Sequence, residues 1–460
     1  MISKATQHAA PEIVAEIDRP LINARGASVR HLVVTVRAPE HKPDPDAVRH
    51  PLNLGLVIDA SGSMQGPPLA AAKQATLDVV SALSETDHMS LVSFASDVVR
   101  HASATRLTDR GRKSLELELR SLACRGSTNL AAGWLDGCQA VAERQATCGV
   151  IERSHVVLLS DGHANEGLVD PMALANHARE LRDRGIITST VGIGTGYSPV
   201  QLQAIAEAGG GRMHDAELPE EIARIVMAEL TDTLATTVEN ADILLRLPEG
   251  VTAELYGTAP FTPTTGGCHV FLGSMIGGAS RRLVIKLRLP PGQAGDTLAV
   301  SVAAQWSLPG QAEHLSCEAG KAVMRFDTGK ACVDQPRNAE IVKIVAEQWQ
   351  ASIYHRAMML NQDGQGRAAA ELVERELEYL RKYCQAIAEL EAEIAALGSF
   401  AESVSERYTA GTSKEMMLKA YKMGRGETDR RGRKVMSFEM LMQTEHTSRG
   451  TNPKPHPPQK

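Results

Sequence analysis

Asp59-Ala60-Ser61-Gly62-Ser63 puts one carboxylate and two hydroxyls close together, directly after an apolar run, 54–58, that reads as a strand buried on both faces. Two other strings repeat the chemistry. Gly126-Ser127-Thr128-Asn129-Leu130 sits where a loop opens a helix, and Leu158-Leu159-Ser160-Asp161-Gly162 closes a later core strand. Asp59, Ser61, Ser63, Thr128 and Asp161 are all hard oxygen donors, a set that suits Mg²⁺ or Mn²⁺ in octahedral geometry. Two carboxylates neutralise a divalent cation formally, and the hydroxyls add coordination without adding charge. One coordination position is left for a carboxylate from another molecule. Gly62 and Gly162 are expected to let the loops turn tightly beside the ion.

For this chemistry the three loops must meet at one edge of one sheet. Residues 51–236 alternate short β-rich apolar runs with helical stretches, the mark of an α/β unit. Strands are expected at 54–58, 89–94, 155–159 and 186–191, largely apolar on both faces as in a mainly parallel sheet. Helices are expected at 69–83, 129–145, 171–184 and 199–208, with Pro171 and Pro199 suited to first turns. Ligands of open α/β sheets bind at the carboxyl ends of the strands, where all three strings fall.

The pattern changes after residue 238. Along 281–289, Leu283, Ile285, Leu287 and Leu289 share one face, and Val284 interrupts the polar residues opposite. Pro290-Pro291-Gly292 then leads to 297–306, which alternates in the same way, so the two runs read as an antiparallel hairpin. Residues 241–247 and 251–256 suggest a second hairpin, and 29–36 a strand that joins them. The expected architecture is an α/β domain, 51–236, inserted in an antiparallel β-sandwich made by 1–50 and 237–330. In 331–410 the period becomes helical: Ile341, Val345, Trp349 and Ile353, then a loop at 361–366, then Val373, Leu377, Leu380, Cys384, Ile387, Ile394 and Leu397, as in an antiparallel helical hairpin. Residues 411–460 hold eleven Lys and Arg against five Asp and Glu, together with Met416, Met417, Met423, Met436, Met440 and Met442. This basic, Met-rich tail is read as partly disordered, with 435–441 as a segment that docks on the protein or on a partner.

Composition narrows the classes. The 460 residues are 43% hydrophobic and 23% charged, an ordinary globular balance, with a net charge of −6 and only 3% aromatic residues. That argues against nucleic acid as a partner, because neither a basic face nor stacking platforms are plentiful. The seven cysteines form no C-x-x-C pair, which argues against a disulfide framework or zinc cluster. No apolar run approaches the roughly 18 residues of a membrane helix, and the first twenty residues hold no signal-peptide core. The expectation is a cytoplasmic protein with reduced thiols and no membrane partner.

The order D-x-S-x-S, then Thr, then Asp-Gly, at Asp59, Ser61, Ser63, Thr128 and Asp161, resembles the metal-ion-dependent adhesion site of von Willebrand factor type A domains. The wider layout is similar to bacterial intracellular members of that family with a flanking β-sandwich and C-terminal helices. The resemblance implies a Rossmann-like sheet, one Mg²⁺ or Mn²⁺ and recognition of a protein partner that supplies an acidic residue to the metal, as in an intracellular scaffold or adaptor. Some relatives work beside AAA+ ATPases, so a co-factor subunit of such an ATPase is one alternative. Another is a metal-dependent hydrolase with His163 as general base. The haloacid dehalogenase type would want a carboxylate where Ser61 stands, and Gly320-Lys321 and Gly329-Lys330 lack the Ser or Thr of a phosphate-binding loop. His163, Asn165 and Glu166 read as solvated rim residues or partner contacts, His155 as a satisfied edge histidine, and Cys124 and Cys138 as small buried hydrophobes.

Overall fold

The computed structural model describes residues 10–40, 50–148, 152–162, 165–311, 313–385 and 387–428. Three strands come first: β1 (Glu12–Ile17), β2 (Leu21–Asn23) and β3 (Ser28–Arg37). The chain then enters the α/β unit: β4 (Leu52–Asp59), α1 (Pro67–Ala82), β5 (His88–Phe94), β6 (Val98–Arg106), α2 (Asp109–Ser121), α3 (Leu130–Thr147), β7 (Arg153–Ser160), α4 (Pro171–Asp183), β8 (Ile186–Ile193), α5 (Pro199–Ala208), β9 (Gly210–Ala216) and α6 (Pro219–Leu234). The sheet order is β6-β5-β4-β7-β8-β9, all pairs parallel except the β6 edge. Every residue of β4 and β7 is buried, because helices cover both faces: α1, α2 and α6 on one, α3, α4 and α5 on the other. The strands and helices expected from periodicity are present. β6, β9, α2 and α6 are additions that periodicity left unassigned.

The chain leaves this unit through β10 (Thr236–Arg246), β11 (Thr252–Tyr256), β12 (Phe261–Thr264), β13 (Gly267–Ile276), β14 (Ser280–Leu289), β15 (Thr297–Ser307) and β16 (His314–Asp327). β3 pairs antiparallel with β14, with Leu32 opposite Ile285, so the N-terminal strands do join the later ones around the inserted α/β unit. The two expected hairpins do not form. β14 lies between β3 and β11 in one sheet, whereas β15 pairs with β10 and β16 in the other. The β10–β11 connection likewise crosses from one sheet to the other. Alternation tells which face of a strand is buried, but not which strand is its neighbour.

Leu283, Ile285 and Leu287 of β14 meet Leu32, Val34 and Val36 of β3 and Val300, Val302 and Trp306 of β15 inside the sandwich. Val284 points the other way, and its role becomes clear in the C-terminal helices. These are α7 (Gly329–Asp334), α8 (Ala339–Gln362), α9 (Gly366–Tyr383), α10 (Glu391–Ser403) and α11 (Ala410–Gly424), followed by a short strand β17 (Glu427–Thr428) that pairs with β14. Val284, Val33 and Tyr256 pack against Ile341, Val345 and Trp349 of α8, so this sheet is covered by the second sheet on one face and by helices on the other. The expected two-helix hairpin is larger than the sequence suggested: the second helix ends at Tyr383, and α10 and α11 follow.

Within 411–460, read above as a basic, Met-rich and partly disordered tail, helix α11 supplies an ordered first part. Met417, Ala420 and Met423 are buried, and Leu418 and Tyr421 enter the core formed by α3, α4 and α5. The segment 435–441 and residues 444–460 lie outside the described residues. Among the described residues no helix is long and apolar enough to cross a membrane.

Candidate metal site

Asp59 ends β4 and is wholly buried. Its Oδ1 accepts the Ser61 N–H at 2.8 Å, and its Oδ2 accepts the Ser160 hydroxyl at 2.7 Å, so one oxygen is fixed from its own loop and the other from the end of β7. The Ser61 and Ser63 hydroxyl oxygens are 3.1 Å apart, and the Ser63 hydroxyl donates to Asp161 Oδ1 at 2.8 Å. Thr128 stands just ahead of α3, whose N-cap is Asn129. A Cβ added to Gly162 would come within 3.2 Å of Thr128 Oγ1, so this hydroxyl abuts the Asp161-Gly162 turn. The structure thus brings all five sequence-predicted oxygen residues to one edge of the sheet.

Neighbouring loops hold this arrangement. The Gly62 N–H donates to the Gly126 carbonyl at 3.2 Å, and the Arg125 N–H to the Ala60 carbonyl at 2.6 Å, joining the first loop to the second. The Thr128 N–H donates to Asn165 Oδ1 and the Asn165 N–H returns to the Thr128 carbonyl, each at 3.3 Å, joining the second loop to the third. The Ser127 hydroxyl reaches Glu166 in the same seam. Asn165 and Glu166 therefore act within the protein, tying loops together. The glycine reading changes too: neither Gly62 nor Gly162 has a left-handed φ, whereas Gly126 does, at +35°, with Ser96 occupying the space a side chain would need.

His163 lies outside the described residues. His155 is buried, with Nε2 3.2 Å from the Ser189 hydroxyl, so it is satisfied as expected, but it lies within β7, a central strand, and not at an edge. Cys138 is buried and its thiol is pushed up to about 12 by that burial, whereas Cys124 is only half-buried. Sequence reasoning overlooked Ser160 as a partner of Asp59. Its position in the third string, one residue before Asp161 on the same strand end, was the available signal.

The electrostatics distinguish this cluster. Burial raises both carboxylates above their ordinary range; Asp161 is pushed up to about 6, with repulsion from Asp59 adding to burial while the Ser63 hydroxyl opposes it. Among the described residues neither carboxylate is bonded to Lys, Arg or His; their partners are hydroxyls and backbone amides. Nor do three or more His, Cys, Asp and Glu side chains converge anywhere among those residues to hold a metal. The donor set fits a small hard cation: two anionic oxygen ligands, three hydroxyls within reach and no soft ligand.

Residues 53–227 match the von Willebrand factor type A domain family. This part of the chain is a type A domain. YfbK of Escherichia coli is 28% identical over 192 residues, covering 41% of this chain and 32% of YfbK. The Synechocystis protein sll0103 is 29% identical over 294 residues, 60% of this chain and 66% of that protein. The chain thus spans from a third to just under two thirds of the length of these relatives. A solved von Willebrand factor type A protein from Catenulispora acidiphila superposes with a TM-score of 0.65 at 17% identity, covering 93% of this chain and 99% of that one. The fold likeness extends beyond the type A domain to the sandwich and the helices.

Proposed function

We propose that this chain is a divalent-metal-dependent protein-binding module, used as an intracellular scaffold or adaptor. The observation that carries the reading is the hydrogen-bonded array Asp59–Ser160 and Ser61–Ser63–Asp161, with Thr128 against Gly162, on the ligand-binding edge of a type A domain. Asp59, Ser61, Ser63, Thr128 and Asp161 would hold Mg²⁺ or Mn²⁺. A bound cation supplies an open coordination position for a carboxylate on a partner protein, as type A domains do at such sites. The residues of the chain do the rest: Ser160 and the Ser61 amide orient Asp59, and the 128–165 clasp keeps the second and third loops in register. Among the described residues the partners of both carboxylates are hydroxyls and amides, none of which is a general base, and this supports a binding role; His163, the general base of the hydrolytic alternative, lies outside those residues.

Isothermal calorimetry tests the reading. The native chain should bind Mg²⁺ or Mn²⁺, and Asp59→Ala or Asp161→Ala should weaken binding by more than about 100-fold, beyond the loss typical of residues behind the ligands. Both variants should remain folded, since the site lies on loops at the sheet edge. Native-like metal binding by both variants would overturn the assignment.

A further inference from the structure

The loop after β8, 194–198, lies between the type A site and the C-terminal helix α11. The string Gly192-Ile193-Gly194-Thr195-Gly196-Tyr197 shapes it. A Cβ on Gly192 would fall 2.3 Å from the Tyr197 ring, so that ring folds back over the strand end and is buried. Its hydroxyl donates to Asp215 Oδ1 at 2.6 Å. Gly194 has φ +64°, and its N–H donates to the Ala216 carbonyl at 2.8 Å. A Cβ on Gly196 would fall 2.8 Å from the backbone carbonyl of Asp161, so the loop backs directly onto a proposed metal ligand.

Lys414 of α11 grips this loop from the other side. It is 6% exposed, and its ammonium lies 3.0 Å from Asp215 Oδ1 and 4.3 Å from the centre of the Tyr197 ring, and donates to the Gly194 carbonyl. A buried ammonium needs its charge and its three N–H groups met, and here an anion, a carbonyl and an aromatic face all come from the 194–197 loop or its neighbour β9. α11 is itself anchored twice more. The Tyr421 hydroxyl accepts the Met213 N–H at 3.1 Å, and the helix packs against α8 of the C-terminal bundle.

We propose that Lys414 is a positioning residue for the metal site: it sets the loop 194–197, and through Gly196 the backbone of Asp161. The proposal rests on the metal reading above. It gives the sandwich and helical half of the molecule a physical route to the binding face, through a residue 253 positions away from Asp161 in sequence.

The test uses the full-length chain, with two readouts. The first is hydrogen exchange in EDTA at the Gly162 and Gly194 amides; the second is calorimetric Mn²⁺ affinity. Lys414→Met removes the ammonium at similar length, and Asp215→Asn breaks the same pair from the other side. Met417→Ala, on the face of α11 that packs with α8, removes packing from a core that does not include Tyr197. Both pair-breaking variants should speed exchange at Gly194 and Gly162 by about 10-fold or more, and should weaken Mn²⁺ binding about 10-fold. Met417→Ala should lower the melting temperature yet leave both readouts within about 2-fold of the native protein, the scatter of ordinary context effects. Native exchange and native affinity in Lys414→Met and Asp215→Asn would overturn the proposal, as would an equal loss in Met417→Ala. If the native chain binds no Mn²⁺ while exchange responds as described, the metal reading falls and the coupling of Lys414 to the Asp161 loop stands.

Discussion

Strand β7 carries a buried carboxylate cluster near each end, and the two are built on opposite principles. Near its start, His155 lies beside Glu229 of α6, which is 1% exposed and surrounded by cations and donors: His214 Nε2 at 2.6 Å, Arg212 Nε at 3.2 Å, the Ser189 hydroxyl at 2.7 Å and His155 Nε2 at 3.5 Å. Burial alone would push Glu229 up, but Arg212, His155 and His214 outweigh it and hold the carboxyl well below its usual range. At the far end, Asp59 and Asp161 have hydroxyls and amides but no cationic side chain among the described residues, and both are raised. A compensated cluster is finished by the fold. An uncompensated pair of carboxylates keeps a deficit of positive charge that a ligand can fill, and this is why the second cluster, and not the larger first one, reads as a binding site.

The largest effect expected from this contrast is on stability. Glu229→Gln leaves the half-buried Arg212 and His214 facing a buried neutral amide, and should cost about 3–5 kcal/mol in urea unfolding, with Mn²⁺ affinity unchanged. If the variant is as stable as the native chain, the first cluster is not held by charge compensation. Ser160→Ala sharpens the other side: it takes away the hydroxyl that orients Asp59 Oδ2, and should weaken Mn²⁺ binding by about 10 to 100-fold with little change in the melting temperature of the metal-free protein. Unchanged affinity would mean that Asp59 is positioned by its backbone alone.

The smallest effect is in the pH dependence. Because Asp161 titrates higher in the folded state than its ordinary 3.8, the folded protein binds more protons between 3.8 and about 6. Metal-free stability attributable to this residue should therefore fall as pH rises through that window and level off above it. Glu229 has the opposite sign: its contribution is present above its ordinary 4.5 and is lost as pH falls through its lower folded value. Melting curves in EDTA separate the two. Relative to the native chain, Asp161→Asn should gain roughly 2–4 °C between pH 4 and pH 7. A constant difference across that range would show that Asp161 is not raised in the folded protein.

Much of the α/β unit was legible because its signals are local. An apolar run buried on both faces, a proline in a first helical turn and a Ser or Asp at a strand's end each act within a few residues, so four strands, four helices and the five candidate ligands could be named from the chain. The flanking half was harder to read. Val284 looked like a flaw in an alternating strand, but it packs on α8; the runs on either side of Pro290-Pro291-Gly292 looked like a hairpin, but they belong to different sheets. A strand's alternation records burial and leaves its hydrogen-bonding neighbour unspecified, because every backbone offers the same donors and acceptors.

The sequence by itself determined the oxygen chemistry of the proposed site, the parallel sheet that presents it and the insertion of that sheet between β-rich flanks. Only the tertiary structure decided which strands pair, that residues 410–424 form a helix docked on the type A domain, and that Lys414 reaches the loop behind Asp161. The physical reason is range. Propensity and periodicity act over one or two turns, whereas the compensation of a buried charge depends on groups brought from distant parts of the chain, and no local pattern records whether they arrive.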